Sequence, residues 1–436
     1  MRWALLCPLV LVACTSPVEV PHCEEPALSV GTATVSWHRE VRPIIFGRCS
    51  TCHVEGGHAP FALTGYPEAA AYAPAIRDAV LHKRMPPWQP ASCCNQFADN
   101  FGLSDPQIEL IVRWIDQGAE EGDRDRPAPP LPPVGGLSRV DLELTMPVGY
   151  RPQPKPGHVD DYRCFLLDWP EEQPVVVSGL NPVPGARPIV HHLIVTALDP
   201  DEAEAVAGEV AEDGRPGLPC EGGLGEFASG QVLGGSLIGG DFPDGIGARI
   251  EPGSKILLNV HYSVTDLAPP EDRTTIQFRL EPGDTPLLEV KPMVLANPAW
   301  LVGGAMTVKA GEVRTYAHRV DPRLQTLGKR TLLRGLTPHM HYLAQGMIVT
   351  LLRDDGTRTC LLDVPRWEFG WEQPYWFTTP IPLEPGDELQ VQCTFDNTAA
   401  NQPVIGGVKG APRDIAWGSE NQDMCAAFLA FTEVEE

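Results

Sequence analysis

The run RPAPPLPPVGG at residues 126–136 most constrains how this chain can fold, because it cannot form regular helix or sheet. Its closely spaced prolines favour a stiff, extended conformation that suits a spacer between domains. With 436 residues the chain is also too long for one ordinary hydrophobic core. The sequence therefore predicts separate domains, with a proline-rich linker at residues 126–137.

Beyond the linker, short apolar runs alternate with turn residues. The runs are PVVVSGL, PIVHHLIVTAL, KILLNVHYSV, TIQFRLEP, GMIVTLLRDDG, DELQVQCTF and MCAAFLAFTEV. The 46 Pro and 42 Gly follow no period, and hydrophobic residues make up 43%, which indicates turns between strands rather than disorder. We expect a mainly β protein with two antiparallel, jelly-roll-like sandwiches at residues 138–288 and 289–436.

The charge of the chain argues against nucleic acid as a partner. There are 33 Lys+Arg against 57 Asp+Glu, a net charge of -24, and no basic run that could track phosphates.

The N-terminus predicts export. Arg2 precedes an apolar run at residues 3–12 that ends in LVAC, the pattern of a lipoprotein signal with lipid on Cys14. The run is too short to span a bilayer, and an ordinary signal peptide or a buried strand are the alternatives. We expect residues 1–14 to be the signal, residues 15–30 a tether, and the protein a membrane-anchored lipoprotein on the periplasmic or outer-membrane side.

The residue pattern at 31–125 predicts a small α-helical domain. Apolar residues at helical spacing in VSWHREVRPIIFGRCSTCH predict a helix that leads into CSTCH. A second helix is predicted in SDPQIELIVRWIDQGAEEG, with Ser104 as N-cap, Gln107 at capping-box distance, Pro106 in the first turn and Gly118 as the stop.

The CSTCH motif predicts a c-type haem. Cys49 and Cys52 have the spacing for two thioethers, and the adjacent His53 can reach the iron. A disulfide or half of a zinc site are the alternatives, although no second CxxC follows. The whole segment resembles the c-type cytochrome-like domains in front of secreted bacterial oxidoreductases, which implies electron transfer.

Met85, in RMPPW, is the candidate for the second axial ligand of that haem, because a thioether raises the potential and the prolines stiffen the loop. His58 and His82 are the competing ligands, and a buried core methionine is the remaining interpretation.

Three histidine motifs in the β region suggest metal binding. They are His191-His192, His261 in NVHY, and His339 with His341 in HMH. Residues 339 and 341 share a face on a strand, whereas adjacent residues 191 and 192 share one only where the strand ends or bulges. A lone histidine is more often a structural core residue. Met424, in NQDMC, adds a thioether, and imidazole with thioether favours copper over zinc.

In this order, HH, NVHY, HxH and MC resemble the copper type II, ascorbate-dependent monooxygenases, the family of peptidylglycine α-hydroxylating monooxygenase and dopamine β-hydroxylase. The resemblance covers residues from about 138 to the end. It implies two sandwich domains with one copper each, facing across a solvent-filled cleft. His191, His192 and His261 match the electron-transfer copper. His339, His341 and Met424 match the copper where oxygen and substrate react.

The resemblance implies that dioxygen and two electrons hydroxylate a C–H bond of a small organic substrate. In the family the electrons come from ascorbate; here the fused haem could supply them. A non-catalytic electron-transfer or copper-binding lipoprotein is the rival hypothesis, and an adhesive or receptor module with structural histidines is a third.

The resemblance also implies two disulfides, Cys164 with Cys220 and Cys393 with Cys425, the latter beside Met424. It leaves four cysteines unassigned, namely Cys23, Cys93, Cys94 and Cys360.

At the positions where peptide-amidating members carry Arg, Asn and Tyr, this chain has Thr337, Ala426 and Phe428. The anchor for a peptide carboxylate is therefore missing, and peptide amidation is not expected. Phe428 is either a core residue or part of a more apolar substrate pocket.

Overall fold

A computed structural model describes most of the chain. The described residues are 18–25, 28, 31–50, 52–55, 59–98, 100–130, 136–155, 158–207, 213–220, 230–235, 239–264, 268–303, 305–322, 329–405, 408–418 and 422–434. Cys14, His58 and residues 131–135 of the linker lie outside this set. None of the helices within it is long and apolar enough to cross a membrane.

The N-terminal part is helical. A π-helical turn at Trp37–Val41 precedes α1 (Arg42–Arg48), α2 (Tyr66–Ala71), α3 (Ala73–Leu81) and α4 (Asp105–Asp116). Two further helices among the described residues, α5 (Pro200–Ala207) and α6 (Pro298–Gly303), lie in the β region. The helix α1 ends directly before Cys49, as predicted. The capping box of α4 is also confirmed, since the Ser104 amide donates to Gln107 Oε1 at 2.9 Å. Gly118 follows with φ of +99°, a conformation that suits glycine.

A small core holds these helices together. Trp37 packs on Trp114 with ring centroids 5.6 Å apart, and both side chains are almost fully buried. Ile111 and Val112 of α4 face the same core, as the apolar spacing of that helix predicts.

The first sandwich follows the linker. Its strands are β1 (Leu142–Thr145), β2 (Asp160–Asp168), β3 (Val175–Val183), β4 (Val190–Leu198), β5 (Leu218–Pro219), β6 (Gln231–Gly235), β7 (Gly240–Asp241), β8 (Ile246–Ile250), β9 (Lys255–Ser263), β10 (Thr275–Pro282) and β11 (Leu288–Glu289). One sheet has the order β1-β10-β3-β8-β11, with β7 also paired to β3, and the other has the order β5-β2-β9-β4-β6. Side chains from both sheets form one core, which includes Phe165, Val195, Leu258 and Phe278.

The second sandwich has its own core. Its strands are β12 (Lys291–Leu295), β13 (Thr307–Val308), β14 (Val313–Val320), β15 (Thr331–His339), β16 (Ala344–Leu352), β17 (Arg358–Val364), β18 (Tyr375–Leu383), β19 (Glu388–Asp396), β20 (Val404–Ile405), β21 (Val408–Lys409), β22 (Ile415–Ala416) and β23 (Ala426–Glu433). The two main sheets have the orders β12-β23-β15-β18 and β14-β19-β16-β17. Their shared core includes Met347, Val391 and Phe431.

Residues 86–98 leave the helical part and pack on the second sandwich. The aromatic ring of Phe97 belongs to that sandwich's core and lies 5.7 Å from the ring of Phe377. Backbone hydrogen bonds run from Ala91 to Asp363 at 2.7 Å and from Ala98 to Trp376 at 2.8 Å. The helical part is therefore attached to the second sandwich not only by the linker but also by direct contacts of residues 86–98.

Residues 18–25, within the segment expected to be a tether, also contact the second sandwich. The amides of Val18 and Val20 each donate at 2.9 Å to the side-chain oxygens of Gln390 and Gln392 on β19. The same glutamines donate back to the carbonyls of these two valines. Because β19 is an inner strand of the sheet β14-β19-β16-β17, this reciprocal pairing holds residues 18–20 against the outer face of that sheet.

The fold is mainly β, as predicted, with sandwich architecture in the region beyond the linker. The identity of the helical part as a cytochrome-like domain stays a prediction.

Candidate metal centre

Three histidines of the first sandwich meet at one point. The register of β4 and β9 puts Val190 opposite Tyr262 and His192 opposite His261, so His191 is an extra residue in a bulge. This irregularity turns the two adjacent side chains toward the same region. One ring nitrogen from each of the three histidines lies within 4.8 Å of the others.

The hydrogen bonds of these histidines leave one nitrogen of each ring for a common ligand. His261 uses Nε2 toward Asp160 Oδ1 at 3.0 Å, and its Nδ1 is buried without a hydrogen-bond partner among the described residues. His191 uses Nε2 toward the Phe369 carbonyl at 2.9 Å, and its Nδ1 lies 2.9 Å from Nδ1 of His192. Converging imidazole nitrogens of this kind fit a bound transition-metal ion, copper among them.

The second sandwich contributes His339, at the end of β15, and His341 just beyond it. Their ring centroids are 5.1 Å apart. Nδ1 of His341 lies 3.1 Å from the Gln422 carbonyl, to which it can donate, leaving Nε2 for another ligand. The sequence pattern thus brings both imidazoles to one place, although the strand itself stops at the first of them.

Asp423 positions the segment that contains Met424. Its buried carboxylate accepts hydrogen bonds from the backbone amides of His341 at 2.8 Å, Leu343 at 3.0 Å and Met424 at 2.9 Å. Burial raises the pKa of Asp423 to about 7. In the register of β15 and β23, Ala426 lies opposite His339. The backbone therefore brings Met424 to the end of β15 that carries the histidines.

The two histidine sets lie against each other, which differs from the solvent-filled cleft that the resemblance implies. The rings of His192 and His339 are 6.4 Å apart between centroids. The Glu372 carboxylate lies between them, 3.2 Å from Nδ1 of each. Its side chain is 7% exposed. Sequence reasoning did not single out Glu372, because the motif WEQPYW carries no metal-ligand spacing.

Burial controls the electrostatics of the cluster. It lowers the pKa of His192 and His261 well below the usual value, and that of His341 to about 4. Burial has the same effect on His339, but the Glu372 carboxylate outweighs it and raises that pKa. Neutral imidazoles are the form that binds metal, so most of this cluster is ready to act as ligands.

Phe369 joins the two sandwiches at this point. Its ring stacks on His191 with centroids 4.1 Å apart and lies 4.0 Å from the ring of Tyr342. The Tyr342 hydroxyl in turn donates to Asp160 of the first sandwich at 3.3 Å. Phe369 belongs to residues 366–373, the bridging loop, which also carries Glu372.

Phe428 lies close to the second set, with its ring centroid 5.7 Å from that of His339. It is partly buried and lies opposite Thr337 in the strand register. Ala426 pairs with His339. The three positions at which this chain differs from the peptide-amidating members therefore all lie beside the histidines. They are Thr337, Ala426 and Phe428.

In the helical part, Cys49 and Cys52 are free, and every other described cysteine is in a disulfide. His53 can donate from Nδ1 to the Phe61 carbonyl at 3.0 Å, which leaves Nε2 for an axial bond. These three residues fit a covalently attached haem. Met85 lies on the loop after α3 and is 44% exposed. His82 is exposed and interacts with Asp78.

The CSTCH motif lies near the first sandwich. Burial raises the pKa of the Cys52 thiol, and the nearby Arg187 guanidinium, four residues before His191, partly offsets this effect. Burial lowers the pKa of Arg187 to about 10. The candidate haem segment thus lies beside the turn that leads into β4.

Four disulfides are present among the described residues. Cys164–Cys220 and Cys393–Cys425 are the two pairs that the resemblance implies. The cysteines left unassigned pair as Cys23–Cys93 and Cys94–Cys360, so both of these bonds involve the segment that follows Met85.

Comparison with known proteins gives one informative match. No curated protein matches the chain. Among solved structures, an allantoicase covers 62% of this chain and 83% of its own at 11% identity, with a TM-score of 0.17. A two-domain protein of unknown function from Bacteroides fragilis covers 62% and 85% at 9% identity, with a TM-score of 0.16. Likenesses this weak carry no argument about fold or function.

The informative match is to a protein family. Residues 331–435 match the model described as copper type II ascorbate-dependent monooxygenase, C-terminal domain. The matched stretch contains His339, His341 and Met424 as well as Glu372. This part of the chain is therefore similar to the C-terminal domain of the copper type II ascorbate-dependent monooxygenases, which supports an oxygenase-type enzyme that depends on copper.

Proposed function

We propose that this protein is an exported, lipid-anchored monooxygenase that hydroxylates a C–H bond of a small organic substrate with dioxygen and two electrons. The observation that carries the proposal is the buried meeting of two histidine sets, one from each sandwich, with the second set inside the stretch that matches the monooxygenase domain. Copper bound there would supply one-electron redox chemistry and the site for dioxygen.

The chain's own residues prepare this site. Asp160 accepts from Nε2 of His261, which fixes the ring so that Nδ1 faces the common point. The Gln422 carbonyl does the same for His341. Phe369 covers the first set with its aromatic ring and packs against Tyr342, which limits access of water to this set. In this arrangement the first set would hold the electron-transfer metal, and His339, His341 and Met424 the metal at which the substrate is oxidised.

We also propose that the helical part carries a c-type haem on Cys49, Cys52 and His53 and delivers the electrons. The support is a continuous path toward the first histidine set. Gln89, four residues after Met85, donates from Nε2 to the carbonyls of Glu368 at 3.0 Å and Trp371 at 2.7 Å. The residue after Glu368 is Phe369, whose carbonyl accepts from His191. Two hydrogen bonds and short stretches of chain thus connect the Met85 loop with His191.

The substrate pocket is expected to be more apolar than that of peptide-amidating relatives. Phe428 lies beside His339, and neither Thr337 nor Ala426 offers a cation for a carboxylate. A small, largely apolar organic molecule therefore suits the site better than a peptide with a free C-terminus.

The first experiment is metal and haem analysis of the chain purified without residues 1–14. We expect two copper ions and one covalent haem per chain, the latter measured as a pyridine haemochrome. A substrate screen with ascorbate and oxygen then compares the parent with Met424→Ala. The variant is expected to lose substrate oxidation and to keep normal haem absorbance, since Met424 is not among the residues proposed to hold the haem. Haem without copper would refute the monooxygenase proposal, and unchanged turnover by Met424→Ala would refute the assignment of the reaction site.

A further inference from the structure

Glu372 is a buried carboxylate whose only ion-pair partners among the described residues are imidazoles. Its oxygens lie 3.2 Å from Nδ1 of His192 and 3.2 Å from Nδ1 of His339. Taking a carboxylate out of water costs several kcal/mol unless a positive charge compensates for it. No Lys or Arg makes an ion pair with Glu372 in the part of the chain that the structure describes. A bound cation beside His192 would supply a positive charge on that side of the carboxylate.

The distances around His192 match a coordination sphere better than a hydrogen-bond network. Bonds from a metal ion to imidazole nitrogen and carboxylate oxygen are about 2.0–2.2 Å long, so neighbouring ligand atoms lie roughly 3 Å apart. Nδ1 of His192 is 2.9 Å from Nδ1 of His191 and 3.2 Å from Glu372 Oε2. A single ring nitrogen has one hydrogen at most and cannot donate to both. One ion between the three atoms would satisfy all of them.

We propose that Glu372 is a fourth ligand of the three-histidine site, and that the same carboxylate accepts a hydrogen bond from His339 of the second set. The proposal rests on the proposed function in so far as the ion is copper. It deepens that function, because one side chain then links the electron-transfer site of the first sandwich with the reaction site of the second. A charged oxygen ligand also favours Cu(II) over Cu(I), so Glu372 would lower the reduction potential of this site.

The test separates a metal ligand from a residue that merely orients His339. The full-length protein is first changed at His339→Ala and His341→Ala, which leaves only the three-histidine site. Glu372→Gln is then introduced into this parent, because glutamine keeps the size of the side chain and removes its charge. Cu(II) affinity is measured by competition with a chelator, and the copper environment by electron paramagnetic resonance.

If Glu372 is a ligand, Glu372→Gln lowers Cu(II) affinity at this site more than tenfold, shifts the copper resonance and raises the reduction potential. Glu368→Gln is the matched control, since that side chain lies on the same bridging loop but is 55% exposed, and it should change none of these values. An unchanged affinity and resonance in Glu372→Gln would mean that the residue acts only on His339, and the proposal would be overturned.

Near-ultraviolet circular dichroism establishes that each variant folds. If Glu372→Gln does not fold, Glu372→Asp replaces it, because the shorter side chain keeps the charge but moves the carboxylate away from His192. The same loss of affinity is then expected, and parent-like binding would again overturn the proposal. Failure of the parent to bind copper at all, as with a His261→Ala control, would instead refute the proposed function.

Discussion

Cys94 and Cys360 are joined by a disulfide although 266 residues separate them in sequence. The bond connects the segment after the Met85 loop with β17 of the second sandwich. Replacing both with serine should lower the free energy of unfolding by about 2–4 kcal/mol, since long loops gain most from a cross-link. Urea denaturation followed by tryptophan fluorescence measures this loss.

The matched control is the Cys164→Ser, Cys220→Ser pair, whose disulfide lies within the first sandwich. Limited proteolysis should cut residues 86–98 faster when Cys94 and Cys360 are replaced, and at the parent rate in the control. Equal protection of residues 86–98 in both variants would contradict an anchoring role for the long-range bond.

The contact between Gln89 and the bridging loop predicts an effect on electron transfer. Gln89→Leu removes the hydrogen bonds to the Glu368 and Trp371 carbonyls and should slow oxidation of the reduced haem by the copper-loaded protein. Stopped-flow absorbance in the haem band measures the rate, and we expect a decrease of about tenfold, the effect of roughly 1.4 kcal/mol on a rate. Gln345→Leu, which removes an exposed contact with Asp396, is the control. An unchanged rate in Gln89→Leu would exclude this path.

We expect that removing Asp160 lowers the metal affinity although no metal ligand is lost. Asp160→Ala removes the acceptor for Nε2 of His261, and such outer partners typically contribute about 10–100-fold to affinity. Cu(II) competition titration of the folded variant should show a decrease in this range. Asp168→Ala, on the same strand but exposed, should bind like the parent. Equal affinity of all three proteins would show that the His261 ring needs no such support.

Met85 predicts a spectroscopic change in the helical part. If Met85 is a ligand of the proposed haem, Met85→Ala should alter the absorbance spectrum of the reduced haem, because the iron would lose a thioether ligand. His82→Ala serves as the comparison. An unchanged spectrum in Met85→Ala would indicate that His58 or His82 is the ligand instead.

The ion pair between Asp213 and Arg163 leads us to expect that stability depends on pH. Hydrogen bonds from the buried Arg163 guanidinium hold the pKa of this carboxyl well below its usual range. Because the folded-state pKa is the lower one, the pair stabilises the fold at neutral pH, and this contribution is lost as the pH falls below about 4. The urea midpoint of the parent should therefore exceed that of Asp213→Asn at pH 7, with the difference shrinking toward pH 3. A constant difference across this range would rule out the ion pair as its source.

Local signals made part of the fold predictable. The capping box of Ser104 and Gln107 specifies a helix start through contacts three residues apart, and that helix is present. The apolar runs between turn residues likewise predict strands, and each of the seven quoted runs contains one. Both patterns depend on neighbouring residues, which the sequence displays directly.

The candidate site was predictable only where motifs carry it. HH and HMH predict metal ligands through their spacing, and the structure shows that a bulge, rather than a strand end, brings His191 and His192 together. Glu372 and Phe369 have no such spacing, because their roles arise when the bridging loop reaches the first sandwich. The pairing of Cys94 with Cys360 was inaccessible for the same reason, since it depends on how residues 86–98 cross the second sandwich.

The pairing of Val18 and Val20 with β19 has a consequence for how the protein would sit on a membrane. If Cys14 carries lipid, four residue steps separate the acyl chains from Val18, a span of at most about 14 Å for an extended chain. The second sandwich would then lie close to the headgroups, with the sheet face that carries Gln390 and Gln392 toward the membrane. A diffusible substrate or electron donor would have to arrive from the remaining open side.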